Sequence, residues 1–433
     1  MRSTSLGMMV RLGLLALMLW GGAARAASED AIGPPVPTPS AAASATPAPP
    51  AETRPAIAAD VVVEADGPRT RFKITLSRPV VATARLMERP DRIIVDLPEL
   101  SFHLPPETGR KREGVIASYR YGLFAPGQSR IVIDLAQTAN VSEIRLENNA
   151  ADGTSLMTIE LTRVDRDEFR RVAADGASKA QGRAPAPAVA AAADRDNRPL
   201  IVLDPGHGGV DPGAASLVGT VEKDIVLAFA QLLKKRLEAT NRYRVFLTRG
   251  QDVFLPLEER VRFAQAHRAD LFVSIHADSI SGAHDVRGMT VYTRADRASD
   301  ADAARLAERE NKADAVAGVD TAEGPDEVLD ILQDLTLRET RAFSHGFAAG
   351  LVNELDPVAR LNKNARREAR FWVLRAHDVP SVLLELGYLS SRRDYDLLVS
   401  DEWRAKATLA ISGAIDRFFA TRLAKQGPAA VLP

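Results

Sequence analysis

The chain has 433 residues, 45% hydrophobic and 26% charged, the balance of an ordinary soluble protein with room for two or three modules. Lys and Arg number 56 against 57 Asp and Glu, a net charge of -1, so the general basic excess that displaces counterions from nucleic acid is missing. Cysteine is absent, which excludes disulfides, thiolate metal sites and cysteine nucleophiles; any metal must be held by His, Asp or Glu.

The first 27 residues read as an export signal. Arg2 and Arg11 precede the uncharged stretch Leu12–Ala24, and Ala24-Arg25-Ala26 offers the small residues a signal peptidase needs. That run is shorter than the ~20 apolar residues of a membrane span, so a cleaved signal is expected, with no span left afterwards. No Arg-Arg pair precedes the apolar centre, which favours the general secretory route. Residues 28–59 read as a linker, because eight prolines fall between Pro34 and Pro55 among Ala, Ser and Thr, without one aromatic.

Residues 60–170 predict an all-β unit. Val61–Ala65, Phe72–Leu76, Arg92–Leu97, Ser129–Leu135 and Ser155–Leu161 are short, β-branched runs parted by Gly, Pro and Asp, the pattern of a small sandwich. The related phrases DRIIVDLP and SRIVIDL read as matched elements of two packed sheets. His103 stands alone, as a surface or packing residue. The run Tyr119-Arg120-Tyr121 can stack on and hydrogen-bond a glycan, with ordinary sheet packing as the alternative. These strand phrases, over roughly residues 60–165, resemble the AMIN domain, a β-sandwich found N-terminal to cell-wall amidases. The resemblance implies a targeting module for peptidoglycan at the division site. Residues 171–198 then read as a second linker, rich in alanine but broken by Gly176, Gly182, Pro185 and Pro187; a short helix is the competing reading.

Residues 199–425 alternate strand and helix patterns. Leu200–Leu203 is an apolar run of strand length; helix Val221–Leu237, strand Arg244–Thr248, helix Leu257–His267 and strand Asp270–Ile275 follow. Further strands are expected near Met289–Thr293, Phe371–Leu374 and Ser381–Leu386, then a closing helix near Glu402–Phe419. Thr220 is the expected N-cap of the first helix, with Glu222 in its first turn. Such alternation implies an α/β layer fold whose ligands bind beyond the carboxyl ends of the strands, which is where His207 (DPGHGG) and His276 (VSIHAD) fall. Two imidazoles and the Glu222 carboxylate match the ligand set of a catalytic zinc site, with a fourth position left for water. On spacing alone, Asp204 or Asp211 can replace Glu222, either histidine can be a satisfied polar residue, and Glu222 can be a helix-dipole partner.

The motifs LDPGHGGVDPGA, VEKD, LTR, ADLFVSIHAD and FWVLRAHDVPSVLLELGYLS, in that order over about 225 residues, resemble the zinc-dependent N-acetylmuramoyl-L-alanine amidases of the Amidase_3 family. The resemblance implies an α/β domain with a mixed central sheet flanked by helices, one Zn2+, the ligands His207, Glu222 and His276, and Glu385 as catalytic base. It implies cleavage of the amide between N-acetylmuramic acid and the L-alanine of the stem peptide, in the periplasm and at the division site. Arg260 matches a recurrent family arginine, structural or substrate-positioning, whereas Ser391 stands where the family often has Asn. Residues 295–354 form an insertion whose segment Asp300–Val316 has helical spacing. In similar division amidases a helix here plugs the cleft, with a glutamate on the zinc, until a LytM-type activator of the EnvC or NlpD sort removes it. Glu310 is the candidate plug and Glu308 the runner-up. The rival readings are another zinc wall hydrolase (a peptidase or deacetylase) and a non-catalytic peptidoglycan-binding protein.

Overall fold

The computed structural model describes residues 54–105, 107–149, 151, 153–180, 196–279, 286–319 and 331–426. The expected signal peptide and most of both expected linkers lie outside them. The described strands of the N-terminal half are β1 (Ala56–Asp66), β2 (Arg69–Leu76), β3 (Thr83–Met87), β4 (Arg92–Pro98), β5 (Leu100–Phe102), β6 (Ile116–Ala125), β7 (Gln128–Leu135), β8 (Ala139–Asn148) and β9 (Ser155–Arg163). They form a five-stranded sheet in the order β5-β1-β2-β9-β8 and a four-stranded sheet in the order β3-β4-β7-β6. Period-two alternation puts Phe72, Ile74 and Leu76 of β2 and Met157, Ile159 and Leu161 of β9 on one face, packed against Ile93, Val95, Ile131 and Ile133 of the other sheet. This is the expected sandwich.

Two readings of this half are corrected. The phrases DRIIVDLP and SRIVIDL do not lie in opposite sheets; they are β4 and β7, antiparallel neighbours in one sheet, with Arg92 opposite Asp134 and Arg130 opposite Asp96. Each arginine finds its partner on the other strand, at 2.6 Å and 2.7 Å, so cross-strand charge pairing explains why the phrases look alike. Nor is the Tyr119-Arg120-Tyr121 run open for glycan. Tyr119 is buried edge-on against Phe72, Tyr121 lies on Phe102, and Arg120 is held by Asp134. Of the two readings of residues 171–198, the described part 171–180 takes the helical one: helix α1 (Arg166–Ala180) runs through it, anchored by Phe169 and Ala173 in the sandwich core.

The second half is built on β10 (Leu200–Pro205), β11 (Arg244–Leu247), β12 (Leu271–His276), β13 (Met289–Arg294), β14 (Leu361–Ala369) and β15 (Ser381–Glu385), in the order β11-β10-β12-β15-β13-β14. The β10, β11, β12 and β15 pairings are parallel and β13 runs antiparallel to β15, so the sheet is mixed. Its helices are α2 (Glu222–Glu238), α3 (Leu257–Ala266), α4 (Ala301–Glu310), α5 (Ala313–Val316), α6 (Ile331–Leu355), α7 (Arg392–Leu398) and α8 (Asp401–Gln426). α2, α6 and α8 cover one face, contributing Phe229, Leu233, Phe347, Leu351, Ile411 and Ile415 to the core, while α3 and α4 pack Val261, Ala264, Leu306 and Ala307 on the other.

Three local expectations differ. The strand placed at Phe371–Leu374 is instead β14, just upstream, followed by a 3-10 turn at Trp372–Leu374. The segment LNKNARREA carries the charge typical of an edge strand, which hides its strand character. Thr220 does not cap α2: Val221 is the N-cap residue, without a side-chain bond, and the Thr220 hydroxyl lies 3.0 Å from that of Tyr395. The expected helix over Asp300–Val316 is broken at Asn311 and Lys312, giving α4 and α5, with Asp300 capping α4 through the N–H groups of Asp302 and Ala303.

Candidate metal centre

Four chain segments meet beyond the carboxyl ends of the parallel strands. The loop after β10 turns at His207, whose φ of 57° is unusual for a non-glycine residue. β12 ends on His276 and β15 on Glu385, paired in register so that both side chains leave the same face. Glu222 opens α2. All four are buried. His207 Nε2 lies 3.2 Å from Glu222 Oε2, and His276 Nδ1 lies 3.2 Å from Glu222 Oε1. The Glu222 oxygens also accept the Ala214 and Ala277 N–H groups, both at 2.9 Å, which aims the carboxylate at the two rings. Gly213 has a φ of 66°, and a Cβ there would come within 2.6 Å of His207 Cδ2 and 2.7 Å of Glu222 Oε2, so only glycine lets this loop close over the cluster.

Glu310, at the end of α4, completes the group. Its Oε2 stands 3.5 Å from His207 Nε2 and 3.3 Å from His276 Nδ1. One nitrogen of each histidine and one oxygen of Glu310 lie within 4.8 Å of one another. Glu308, the runner-up, points away: it pairs with Lys312 at the surface. Thus Glu222 gives one oxygen to each imidazole while Glu310 presents a single oxygen to both.

The polar balance is one that a divalent cation would fit. His207 Nε2 is buried and makes no hydrogen bond, the state of a nitrogen built for a ligand other than hydrogen. Burial would lower its pKa, but Glu222, Asp211 and Glu310 outweigh burial and hold it well above the usual histidine value. Conversely, burial would raise Glu222, yet His207 and His276 keep it well below the carboxylate range. Asp211, weighed above as an alternative ligand, lies 2.9 Å from His207 Nδ1 and so orients the ring. Asp204, the other alternative, is turned away and bonded to Arg260, Thr248 and Ser274 at 2.9 Å, 2.6 Å and 2.7 Å.

Glu385 has a divided environment. Its Oε2 accepts the Asp278 N–H at 3.0 Å, whereas Oε1 is buried with no partner. Burial, followed by the neighbouring Asp278, Glu222 and Glu310, pushes this carboxyl well above its ordinary range. Asp278 is itself pushed up to about 7, by burial and then by Glu310 and Glu222.

Arg260, fully enclosed, donates to the carbonyls of Leu255, Pro205 and His207 at 2.8 Å, 2.9 Å and 2.8 Å. Arg249 does the same for Pro205 and Gly206, at 2.9 Å and 2.8 Å, so two guanidinium groups hold the His207 loop in its turn. Sequence reasoning assigned no role to Arg249, Asp278 or Arg309. The first two sit inside motifs already singled out (LTR and VSIHAD). Arg309 adjoins Glu310 and pairs with Asp278 across the site. Ser391 caps α7 through the Asp394 N–H, at 3.4 Å.

A family model described as N-acetylmuramoyl-L-alanine amidase matches residues 201–417, and one for the AMIN domain matches residues 60–165. The chain is 34% identical over 361 residues to N-acetylmuramoyl-L-alanine amidase AmiC of Neisseria meningitidis, covering 79% of this chain and 85% of the relative. It is 30% identical over 380 residues to AmiC of Escherichia coli, covering 83% and 89%. Among solved structures, AmiC2 of Nostoc punctiforme aligns with 51% of this chain and 97% of its own, at 29% identity and a TM-score of 0.38.

Proposed function

Because the chain belongs to the N-acetylmuramoyl-L-alanine amidase family, we propose that its buried His207, Glu222, His276 and Glu385 form the active centre of a zinc-dependent peptidoglycan amidase. The bond cut joins the lactyl group of N-acetylmuramic acid to the L-alanine of the stem peptide, in the splitting of septal wall during division. The observation that carries this reading is the convergence of two imidazoles and two carboxylates on one spot, with His207 Nε2 and Glu385 Oε1 left without hydrogen-bond partners.

His207, Glu222 and His276 are the residues that would hold Zn2+. When bound, the ion supplies Lewis acidity, making water a nucleophile near neutral pH and polarising the scissile carbonyl. Asp211 fixes the His207 tautomer, and Arg249 and Arg260 hold its loop rigid. Glu385 Oε1 takes the proton of the attacking water and returns it to the departing amide nitrogen, while the Asp278 N–H steadies Oε2.

Glu310 supports a resting, self-inhibited state: its oxygen faces both imidazoles, where water and the scissile carbonyl would otherwise sit. Removal of α4 from the site is then the work of a LytM-type activator of the EnvC or NlpD sort. The AMIN half (residues 60–165) serves targeting, and the expected signal peptide would deliver the chain to the periplasm. Among the described residues no helix is long and apolar enough to cross a membrane.

Digestion of purified sacculi with zinc present tests the reaction. Stem peptides with a free N-terminal alanine are expected, with no new reducing ends and no acetate. Glu385→Gln should lower the rate by about 100- to 10,000-fold, the usual contribution of a general base. The variant lacking residues 300–317 distinguishes a plugged enzyme from an inactive one. Acetate, or peptide-bond cleavage within the stem, would favour the rival hydrolase readings.

A further inference from the structure

The plug is also gripped from the N-terminal half of the chain. Four arginines on the four strands of one sheet converge on the backbone just beyond α4. Arg85 of β3 donates to Gly318 O at 2.5 Å, Arg92 of β4 to Ala315 O, Arg120 of β6 to Val316 O at 2.8 Å, and Arg130 of β7 to Ala317 O at 3.1 Å and Gly318 O at 3.3 Å. These are the carbonyls at the end of α5, where a helix runs out of its own donors. Three of the arginines are held by ion pairs on the sheet itself, Arg92 and Arg120 sharing Asp134 and Arg130 on Asp96, so the sheet presents fixed, oriented donors.

The apolar fit matches. Met87, Ile94 and Val132, on the sheet face turned away from the sandwich core, pack with Ala317, Val210 and Phe254, and Val319 lies against them. Gly318 has a φ of 70°, and a Cβ there would come within 2.4 Å of Ile94 Cδ1. The same sheet reaches the metal loop: Leu123 O accepts the Phe254 N–H at 3.1 Å, and Phe124 stacks on Phe254 with ring centres 5.7 Å apart. A Cβ on Gly209, two residues past His207, would strike Leu123 O.

We propose that this face of the AMIN sheet is the docking surface for residues 315–319 and acts as a lock in cis, holding α4 and its Glu310 in the active site. The inference rests on reading α4 as the plug. Displacing the sheet and opening the site become linked: whatever takes the arginines away from these carbonyls favours the open enzyme, and pulling α4 out weakens the domain contact by the same factor.

The test uses the full chain, with Arg120→Ala and Arg130→Ala on the sheet side and Gly318→Val on the plug side. Amide hydrogen exchange over residues 301–316 and activator-free hydrolysis of labelled sacculi are measured, with Glu310→Ala as reference. Exchange should rise about tenfold or more, as loss of a charge-assisted hydrogen bond implies, and the rate should rise toward that of Glu310→Ala. Protection in β2 and β9 reports whether the sandwich is intact; if an arginine variant loses it, Gly318→Val alone decides. Wild-type exchange over residues 301–316 in variants with an intact sandwich overturns the lock. A wild-type rate in Glu310→Ala overturns the plug reading instead, and the exchange comparison still judges the docking surface.

Discussion

Replacing Arg309 with alanine probes the end of the plug that lies in the active site. Its guanidinium donates to the Asp278 carboxylate and, at 2.8 Å, to Ser279 O. Asp278 is almost fully enclosed, at 3% side-chain exposure, while Arg309 is 46% exposed. A hydrogen bond from a charged group contributes about 1.5–3 kcal/mol, and solvent screening of the exposed Arg309, together with the raised pKa of Asp278, reduces this to about 1–2 kcal/mol. At ~1.4 kcal/mol per factor of ten, the ratio of open to closed enzyme rises about five- to thirtyfold. Under the proposed self-inhibited resting state, the activator-free rate should rise by a similar factor. Arg309→Lys keeps the charge but not the fork, and should fall between the two. Dye release from labelled sacculi reads the rate, with Glu310→Ala setting the fully open value. If Arg309→Ala stays at the wild-type rate while Glu310→Ala is raised, the Arg309–Asp278 pair is not a latch and the reasoning is refuted.

Asp211→Asn should weaken zinc affinity about 10- to 100-fold by freeing the His207 ring; competition with a chromogenic chelator measures it, and unchanged affinity would deny Asp211 its orienting role. Asp134 gives a pH signature. Burial would raise its pKa, but Arg120 and Arg92 overcome burial and hold it below the usual carboxylate value. The stability it contributes is therefore present above about pH 4, its unfolded value, and is lost as pH falls through the lower folded value. Asp134→Asn should be less stable than wild type in urea at neutral pH, and the gap should narrow in acid; a gap independent of pH would contradict the pairing.

The placement of the candidate site was legible because its residues sit in short motifs. DPGHGG, VEKD, VSIHAD and LLELGYLS each place a candidate site residue at a strand end or helix start, and the strand register does the rest. Residues whose roles depend on distant chain segments were not legible. Arg92 and Arg130 looked like ordinary strand residues, and nothing local shows that they meet carbonyls 223 and 187 residues away. The charged edge strand β14 concealed itself for the same reason that edges are charged. Tyr119 and Tyr121 could be read as a binding platform or as sheet packing, because aromatic pairs serve cores and surfaces alike, and only the sheet pairing turned them inward.

The most direct measurement is metal content. Full-length protein, purified without chelator and analysed by elemental mass spectrometry, should carry one zinc per chain. His207→Ala and His276→Ala, folded by circular dichroism, should carry essentially none. Wild-type protein that cuts sacculi with no metal bound, or either variant retaining stoichiometric zinc, would contradict the account.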